Sequence, residues 1–339
     1  MKAHKMELIT KEETSALYSI ETDNHAEHIS EYIFTHPDSR AICNDPTVYG
    51  VEYTSRLSTA VSALFSALNS SNNFHATEKN CTVFHILRGG LNFGIREALY
   101  SSLQWNAHTS AYISSQRAQK EDGSWHILED SYEKIELPEI TDIIVGDVVA
   151  TGVSLQHAVE RLISRAIEQK KVIRSFTFIT IGGERSTEVM KAINTLCSEA
   201  FGEMFTGSAV IYLEGVFDVA TDNDERLQIA LGGTDLLRRD SILAPEFIES
   251  QEEDITYPLE RCTIYDAGSR AFSIDEYLKD VREYWQQVLE LVEQGVTLYD
   301  YLAERYPDSK FLTDNEWKLQ HSTSDALKKV ATTQLSSLQ

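Results

Sequence analysis

Cysteine is scarce in this chain of 339 residues, and its four examples, Cys43, Cys81, Cys197 and Cys262, are widely separated. That spacing argues against a disulfide framework and against a metal-ligand pair, and for reduced core or strand positions. Long apolar runs are missing too. No stretch approaches the roughly 18 apolar residues of a membrane span, and Met1 to Ile20 has no basic opening, apolar centre and small-residue cleavage site. Neither membrane spanning nor export is indicated, so a cytoplasmic location is expected. Positive charge is the third shortage: 30 Lys and Arg face 53 Asp and Glu, for a net charge of −23. A surface this acidic repels polyanions, which argues against nucleic acid as a partner. Repeats of solenoid period and low-complexity tracts are absent as well. His25 and His28 lie three apart on a predicted helix, but with no third ligand nearby they read as surface or partly packed residues.

What remains is a composition of 42% hydrophobic and 24% charged residues, that of a globular chain long enough to bury a full core. Its most informative stretch is Asp142-Ile143-Ile144-Val145-Gly146-Asp147-Val148-Val149-Ala150-Thr151-Gly152-Val153-Ser154-Leu155. The β-branched run Ile143 to Val145 predicts a strand buried on both faces, and Leu155, Val159, Leu162 and Ile163 predict a helix over 155–169. Between them, Thr151, Gly152 and Ser154 form a small-residue turn. Glycine allows close backbone approach to an anion, hydroxyls donate, and a helix N-terminus adds a favourable dipole. A second strand, Thr82 to Leu87, runs into Arg88-Gly89-Gly90-Leu91-Asn92-Phe93-Gly94 before a predicted helix over Ile95–Leu103. Two strand-to-turn anion sites therefore belong to one unit.

These two segments resemble the signature of type I phosphoribosyltransferases, and Ile86-Leu87-Arg88-Gly89-Gly90-Leu91 is closest to the form found in uracil phosphoribosyltransferases. The resemblance implies transfer of the 5-phosphoribosyl group from phosphoribosyl pyrophosphate to a small heterocyclic acceptor, with release of pyrophosphate. It implies that Asp147 holds ribose and that Ala150, Thr151, Gly152, Val153 and Ser154 hold the 5-phosphate. Arg88, Gly89 and Gly90 would face pyrophosphate. Between the loops, 111–137 reads as a hairpin; in the family a hood here carries a basic residue over the pyrophosphate, making Arg117 and Lys120 the candidates. Downstream, Tyr265-Asp266-Ala267-Gly268-Ser269-Arg270 is similar to the base-reading turn of the uracil enzymes, so Asp266, Ala267 and Gly268 would meet the acceptor. Mg²⁺ carried by the substrate, with no direct protein ligand, would neutralise much of its charge. A homodimer is expected by resemblance alone.

Two departures stand out. Many members place two adjacent acids before the phosphate loop, whereas here Gly146 precedes the single Asp147. Asp142 cannot substitute, lying roughly 13 Å back along the strand at about 3.3 Å per residue. Val153 replaces a second glycine. A non-catalytic sensor of phosphoribosyl pyrophosphate or a nucleotide on the same fold is therefore the alternative to an enzyme.

The expected architecture is α/β: a Rossmann-like parallel sheet flanked by helices, spanning 76–272. An N-terminal helical section, 1–75, would pack on it through Glu52 to Leu68. An insertion at about 215–260 would cover the acceptor pocket, where Arg238 or Arg239 could meet an acidic acceptor or form surface ion pairs. The extension 273–339 starts with a predicted capping box, Ser273 to Glu276. The apolar face from Tyr277 to Val292 follows, then a short helix at 298–304 and a polar tail.

Overall fold

The computed structural model describes residues 5–21, 28–87, 89–119, 125–149, 152–219, 236–253, 267–305 and 310–338. Arg88, Lys120, Ala150, Thr151, Asp266 and Cys262 lie outside them, as does the side chain of Arg117. The described residues begin with β1 (Lys5–Lys11), β2 (Ala16–Glu21) and β3 (Ile29–Thr35), then α1 (Pro37–Asn44) and α2 (Gly50–Ser70). The first loop unit follows: β4 (Cys81–Ile86), a 3-10 turn (Gly89–Phe93), α3 (Ile95–Leu103) and the hairpin of β5 (Thr109–Gln119) and β6 (Trp125–Lys134). The second unit is β7 (Ile140–Val149), α4 (Val153–Glu168), β8 (Val172–Gly183), α5 (Arg185–Phe201) and β9 (Gly207–Val219). Then come β10 (Leu236–Leu243), α6 (Pro245–Glu253), α7 (Ala267–Phe272), α8 (Ile274–Glu293), α9 (Leu298–Arg305), α10 (Asn315–His321) and α11 (Ser324–Ser337).

One sheet takes in all of these strands in the order β1-β2-β3-β9-β8-β7-β4-β5-β6, with β10 paired to β9. Pairing is parallel from β3 through β9, β8, β7 and β4 to β5. The expectation of a parallel α/β sheet is met at this centre, while β1, β2, β6 and β10 add antiparallel margins. The continuous apolar runs explain the centre: Cys81 to Ile86 of β4 and Thr141 to Val145 of β7 are buried without alternation, as strands covered on both faces must be.

The N-terminal section departs from its predicted helical character. Its first described residues form three strands that widen the main sheet, because Leu17, Ile33 and Phe34 are wholly buried when β2 and β3 continue the sheet from β9. Apolar runs this short carry no decisive period, so the sequence pattern does not separate them from helix. His28, predicted helical, instead accepts Ser208 N–H at the start of β3. The predicted amphipathic helix is present as α2, burying Tyr53, Leu57, Val61, Leu64, Phe65 and Leu68.

The C-terminal extension is a helical layer with its own apolar centre. Tyr277, Val281, Tyr284, Trp285 and Val288 of α8 meet Tyr301 and Leu302 of α9 and Leu327 and Ala331 of α11. The α8 face is thus covered within the chain, and the predicted polar tail contains α11, whose buried Leu327, Val330 and Ala331 close it over α8. Ser273 precedes α8 but makes no side-chain cap, and Glu276, the other member of the predicted box, accepts Ser269 Oγ at 3.4 Å instead.

Candidate functional site

The β4 and β7 strands are parallel neighbours, with Cys81, Thr82, Val83 and Phe84 in register with Asp142, Ile143, Ile144 and Val145. Both bends therefore leave the sheet at its carboxyl edge, side by side, where α/β folds place their ligands. Their contact is intimate. A Cβ on Gly89 would lie 3.0 Å from Asp147 Oδ1, and one on Gly90 would lie 3.0 Å from the Gly146 carbonyl oxygen. Glycine is what lets the 3-10 turn rest on the end of β7.

Asp147 belongs to the strand rather than to a loop, since β7 continues to Val149 in register with β8. Its Oδ1 accepts the Val148 N–H at 3.0 Å, which fixes the carboxylate at the strand edge beside Gly89. Asp142 is engaged elsewhere: it is buried at the opposite end of β7, where Arg174 Nε donates at 2.9 Å and Ser175 Oγ at 2.7 Å.

Gly146 has a steric cause. A Cβ there would stand 2.6 Å from Phe93 Cγ and 2.9 Å from Phe93 Cβ, and the ring is fully buried. The phenyl group at the end of the 3-10 turn occupies the volume that an acid preceding Asp147 would need.

The phosphate-loop expectation falls partly on described residues. Gly152 is the N-cap of α4 at φ +74°, a left-handed conformation that suits glycine. Its carbonyl accepts Gln156 N–H at 2.9 Å, but no side chain caps the helix and no acid stands in its first turn. Val153 and Ser154 follow as the first helical residues, so their N–H groups belong to the set that has no intrahelical acceptor. An uncapped helix N-terminus reached through a left-handed glycine is suited to an anion.

The predicted hairpin between the loops is formed by β5 and β6, with Arg117 opposite Ile127. Its root is tied to α4: Arg161 Nη2 donates to Glu133 Oε2 at 2.8 Å, and Arg165 also meets Glu133, a clustering that holds the glutamate below its usual pKa against its burial.

The third motif lies partly in α7, which packs against both α2 and the Gly89–Phe93 turn. The chain-distant helix that carries Ala267 and Gly268 thereby comes beside the first loop. Arg270 of the same motif is structural. Fully buried, it donates to the carbonyls of Val48 at 2.6 Å, Ile42 at 2.9 Å and Asp45 at 2.9 Å, and its guanidinium lies over the Tyr53 ring at 4.8 Å. It binds the end of α1 to α7 and so positions the motif.

Arg238 does not reach an acceptor pocket: it is buried and donates to Cys43 O at 2.6 Å and Asn44 Oδ1 at 3.2 Å. Arg239 lies beside Asp240 at 3.6 Å and donates to the Glu304 carbonyl at 3.4 Å. His85, inside β4, stacks on Tyr112 at 4.8 Å, and burial pushes its pKa down to about 4, so it is neutral. Among the described residues no group of three or more His, Cys, Asp or Glu could hold a metal ion, and no helix is long and apolar enough to cross a membrane. Asp147 offers a hard oxygen donor of the kind that meets a substrate-borne Mg²⁺.

Two further features escaped the sequence reading. Glu214 of β9, fully buried, accepts Thr35 Oγ1 at 2.7 Å, His36 N at 3.0 Å and Ser39 Oγ, and desolvation pushes its pKa up to about 7. Arg185 of α5 lies across Gly152: a Cβ on that glycine would stand 3.5 Å from Arg185 Cγ and 3.8 Å from its Nε. Neither sits in a local motif; Glu214 is signalled only as an isolated charge in the apolar run Ala209 to Phe217, and Arg185, between Glu184 and Ser186, carries no local signal.

Solved phosphoribosyltransferases resemble this chain. One is the hypoxanthine phosphoribosyltransferase of Trypanosoma cruzi in complex with IMP, 15% identical over 58% of this chain and 93% of that one, with a TM-score of 0.27. The hypoxanthine phosphoribosyltransferase of Staphylococcus aureus is 14% identical over 60% of this chain and 94% of its own, with a TM-score of 0.27. For a purine phosphoribosyltransferase of Pyrococcus horikoshii the values are 14%, 38%, 73% and 0.25. No family model matches, and no curated protein does. At this identity and superposition the likenesses carry neither substrate nor activity.

Proposed function

We propose that this chain is a phosphoribosyltransferase that moves the 5-phosphoribosyl group from phosphoribosyl pyrophosphate to a small nucleobase-like heterocycle. The observation that carries the reading is the meeting of two glycine-bearing bends at one sheet edge, with the Asp147 carboxylate lodged between them against Gly89. A sugar carrying phosphate at one end and pyrophosphate at the other requires two anion sites separated by a ribose-binding acid, and the position of Asp147 beside Gly89 supports that reading.

In this reading Asp147 accepts hydrogen bonds from the ribose hydroxyls. The Ala150 to Ser154 turn and the α4 amides hold the 5-phosphate, while Arg88 and the Gly89 and Gly90 amides hold pyrophosphate. The acceptor's nitrogen or carbon bonds to the anomeric carbon as the bond to the pyrophosphate oxygen breaks, and the acceptor gives up its proton. The protein contributes positioning and charge stabilisation. Arg117 in the hairpin would close over the leaving group, and Asp266, Ala267 and Gly268 would face the base. Mg²⁺ bound to the substrate supplies charge neutralisation. A cytoplasmic homodimer accords with this role.

A sensor that binds the same ligand without turning it over is the second reading, favoured by Phe93 filling the place of the first acid. Pyrophosphate release measured with a panel of free bases separates the two. Acceptor-dependent release establishes transfer, whereas binding with the ligand recovered intact establishes a sensor and removes the enzymatic proposal.

A further inference from the structure

From Gly146 to Gln156 the sequence contains no Lys or Arg, although this is the segment assigned to a phosphate dianion in a protein of net charge −23. Backbone amides and a helix dipole contribute only partial charges. The tertiary structure brings a full positive charge to the same place from another loop. The β8-to-α5 turn stands at the same sheet edge, because Val149 of β7 pairs with Gly182 of β8. A Cβ on Gly182 would be 2.5 Å from the Val149 carbonyl oxygen, so the two turns touch through backbone. Arg185 then opens α5 and extends its side chain over the N-cap of α4, with Cγ and Nε 3.5 and 3.8 Å from the Cβ position of Gly152 and Val189 Cγ2 only 2.7 Å from it. Gly152 is thereby constrained twice, by its left-handed backbone and by α5 lying against it.

We infer that Arg185 is an anion-binding residue that supplies the charged contact to the phosphate end of the ligand, completing a site whose other half is the N-terminus of α4. The inference rests on the sugar-phosphate reading above. Three observations support it independently of the loop motif. The Arg185 side chain is 47% exposed and donates to Glu188 Oε2 at 2.7 Å, a surface pair one helical turn on that is weak enough to exchange for a phosphate oxygen. Neither α4 nor α5 has a capping side chain at its N-cap residue; in α5 Thr187 N–H is taken by the Tyr212 hydroxyl, which leaves the uncapped start of α4 as the amide-bearing half of the junction. The hydroxyl of Thr180, fully buried in register with Asp147, lies 3.3 Å from the Cβ position of Gly182 and has no partner among the described residues. A buried hydroxyl without a partner is uncommon and marks this part of the sheet edge as a place where a further polar group would be satisfied.

The test is calorimetric titration of the full chain with ribose 5-phosphate and, separately, with magnesium pyrophosphate. Loss of one charge-assisted contact weakens binding roughly ten- to hundredfold. Arg185→Gln should weaken ribose 5-phosphate by that factor and leave pyrophosphate unchanged, Arg185→Lys should recover most of the loss, and thermal melting of both variants should match the parent. Equal affinity of parent and Arg185→Gln for ribose 5-phosphate overturns the assignment, as does an equal loss for both ligands or failure of lysine to recover binding. Absence of any heat with the parent protein refutes the sugar-phosphate reading itself, and the Arg185 role falls with it.

Discussion

A single methyl group added at Gly146 probes the contact that sets this site apart. In Gly146→Ala the new Cβ would lie 2.6 Å from Phe93 Cγ and 2.9 Å from its Cβ and Cδ1, and the ring is fully buried. Overpacking of this kind costs about 1–3 kcal/mol. Replacing glycine also restricts the unfolded chain, which offsets about 0.4–1 kcal/mol. The net expectation is a loss of about 1–2 kcal/mol. Phe93→Ala alone should cost about 3–5 kcal/mol by opening a cavity. In the double variant the methyl group enters that cavity, so the overpacking disappears and the pair should be more stable than the sum of the singles by about 1–3 kcal/mol. Urea unfolding followed by the fluorescence of the four tryptophans measures all three. Additivity within about 0.5 kcal/mol would show that Phe93 does not fill the position, and the steric account of the missing acid would fail.

Asp147→Asn keeps the shape but removes the charge, and should weaken ribose 5-phosphate binding or turnover about ten- to hundredfold with the melting temperature unchanged; unaltered kinetics would remove its role. Glu214 is an acid whose folded pKa is raised, so the native state holds its proton more tightly and stability falls as pH rises from about 4.5 to about 7, by about 3 kcal/mol in all. Glu214→Gln should flatten the unfolding free energy across that interval, and an unchanged slope would assign the pH dependence elsewhere. Arg270→Met preserves much of the volume but strands the carbonyls of Ile42, Asp45 and Val48, so a loss of about 3 kcal/mol or more is expected in urea, with acceptor-dependent activity falling as α7 loosens.

Much of the fold is written in local pattern. The helix predicted over Ile95–Leu103 has those bounds, and both strand-turn-helix units follow the predicted order, because long apolar runs and 3.6-residue periods are decided by neighbours in sequence. Strands β2 and β3 were illegible for the opposite reason: their few apolar residues acquire meaning only beside β9. The Asp266 to Arg270 motif was visible, but half of its meaning was not. Arg270 looked like part of a recognition turn and proves to be the clasp that ties α7 to α1, a role set by carbonyls more than 200 positions away in the chain.

By itself the sequence determined the two glycine-bearing bends, the single acid Asp147 and the α/β alternation, since each depends on backbone freedom and side-chain period within a few residues. It also recorded that position 146 is glycine. Why it is glycine, and which cation stands beside Gly152, were decided only when parallel pairing brought the 3-10 turn onto β7 and the start of α5 onto Gly152. Steric exclusion and charge proximity act through space across distances of a few ångströms, and the linear order of residues does not contain those distances.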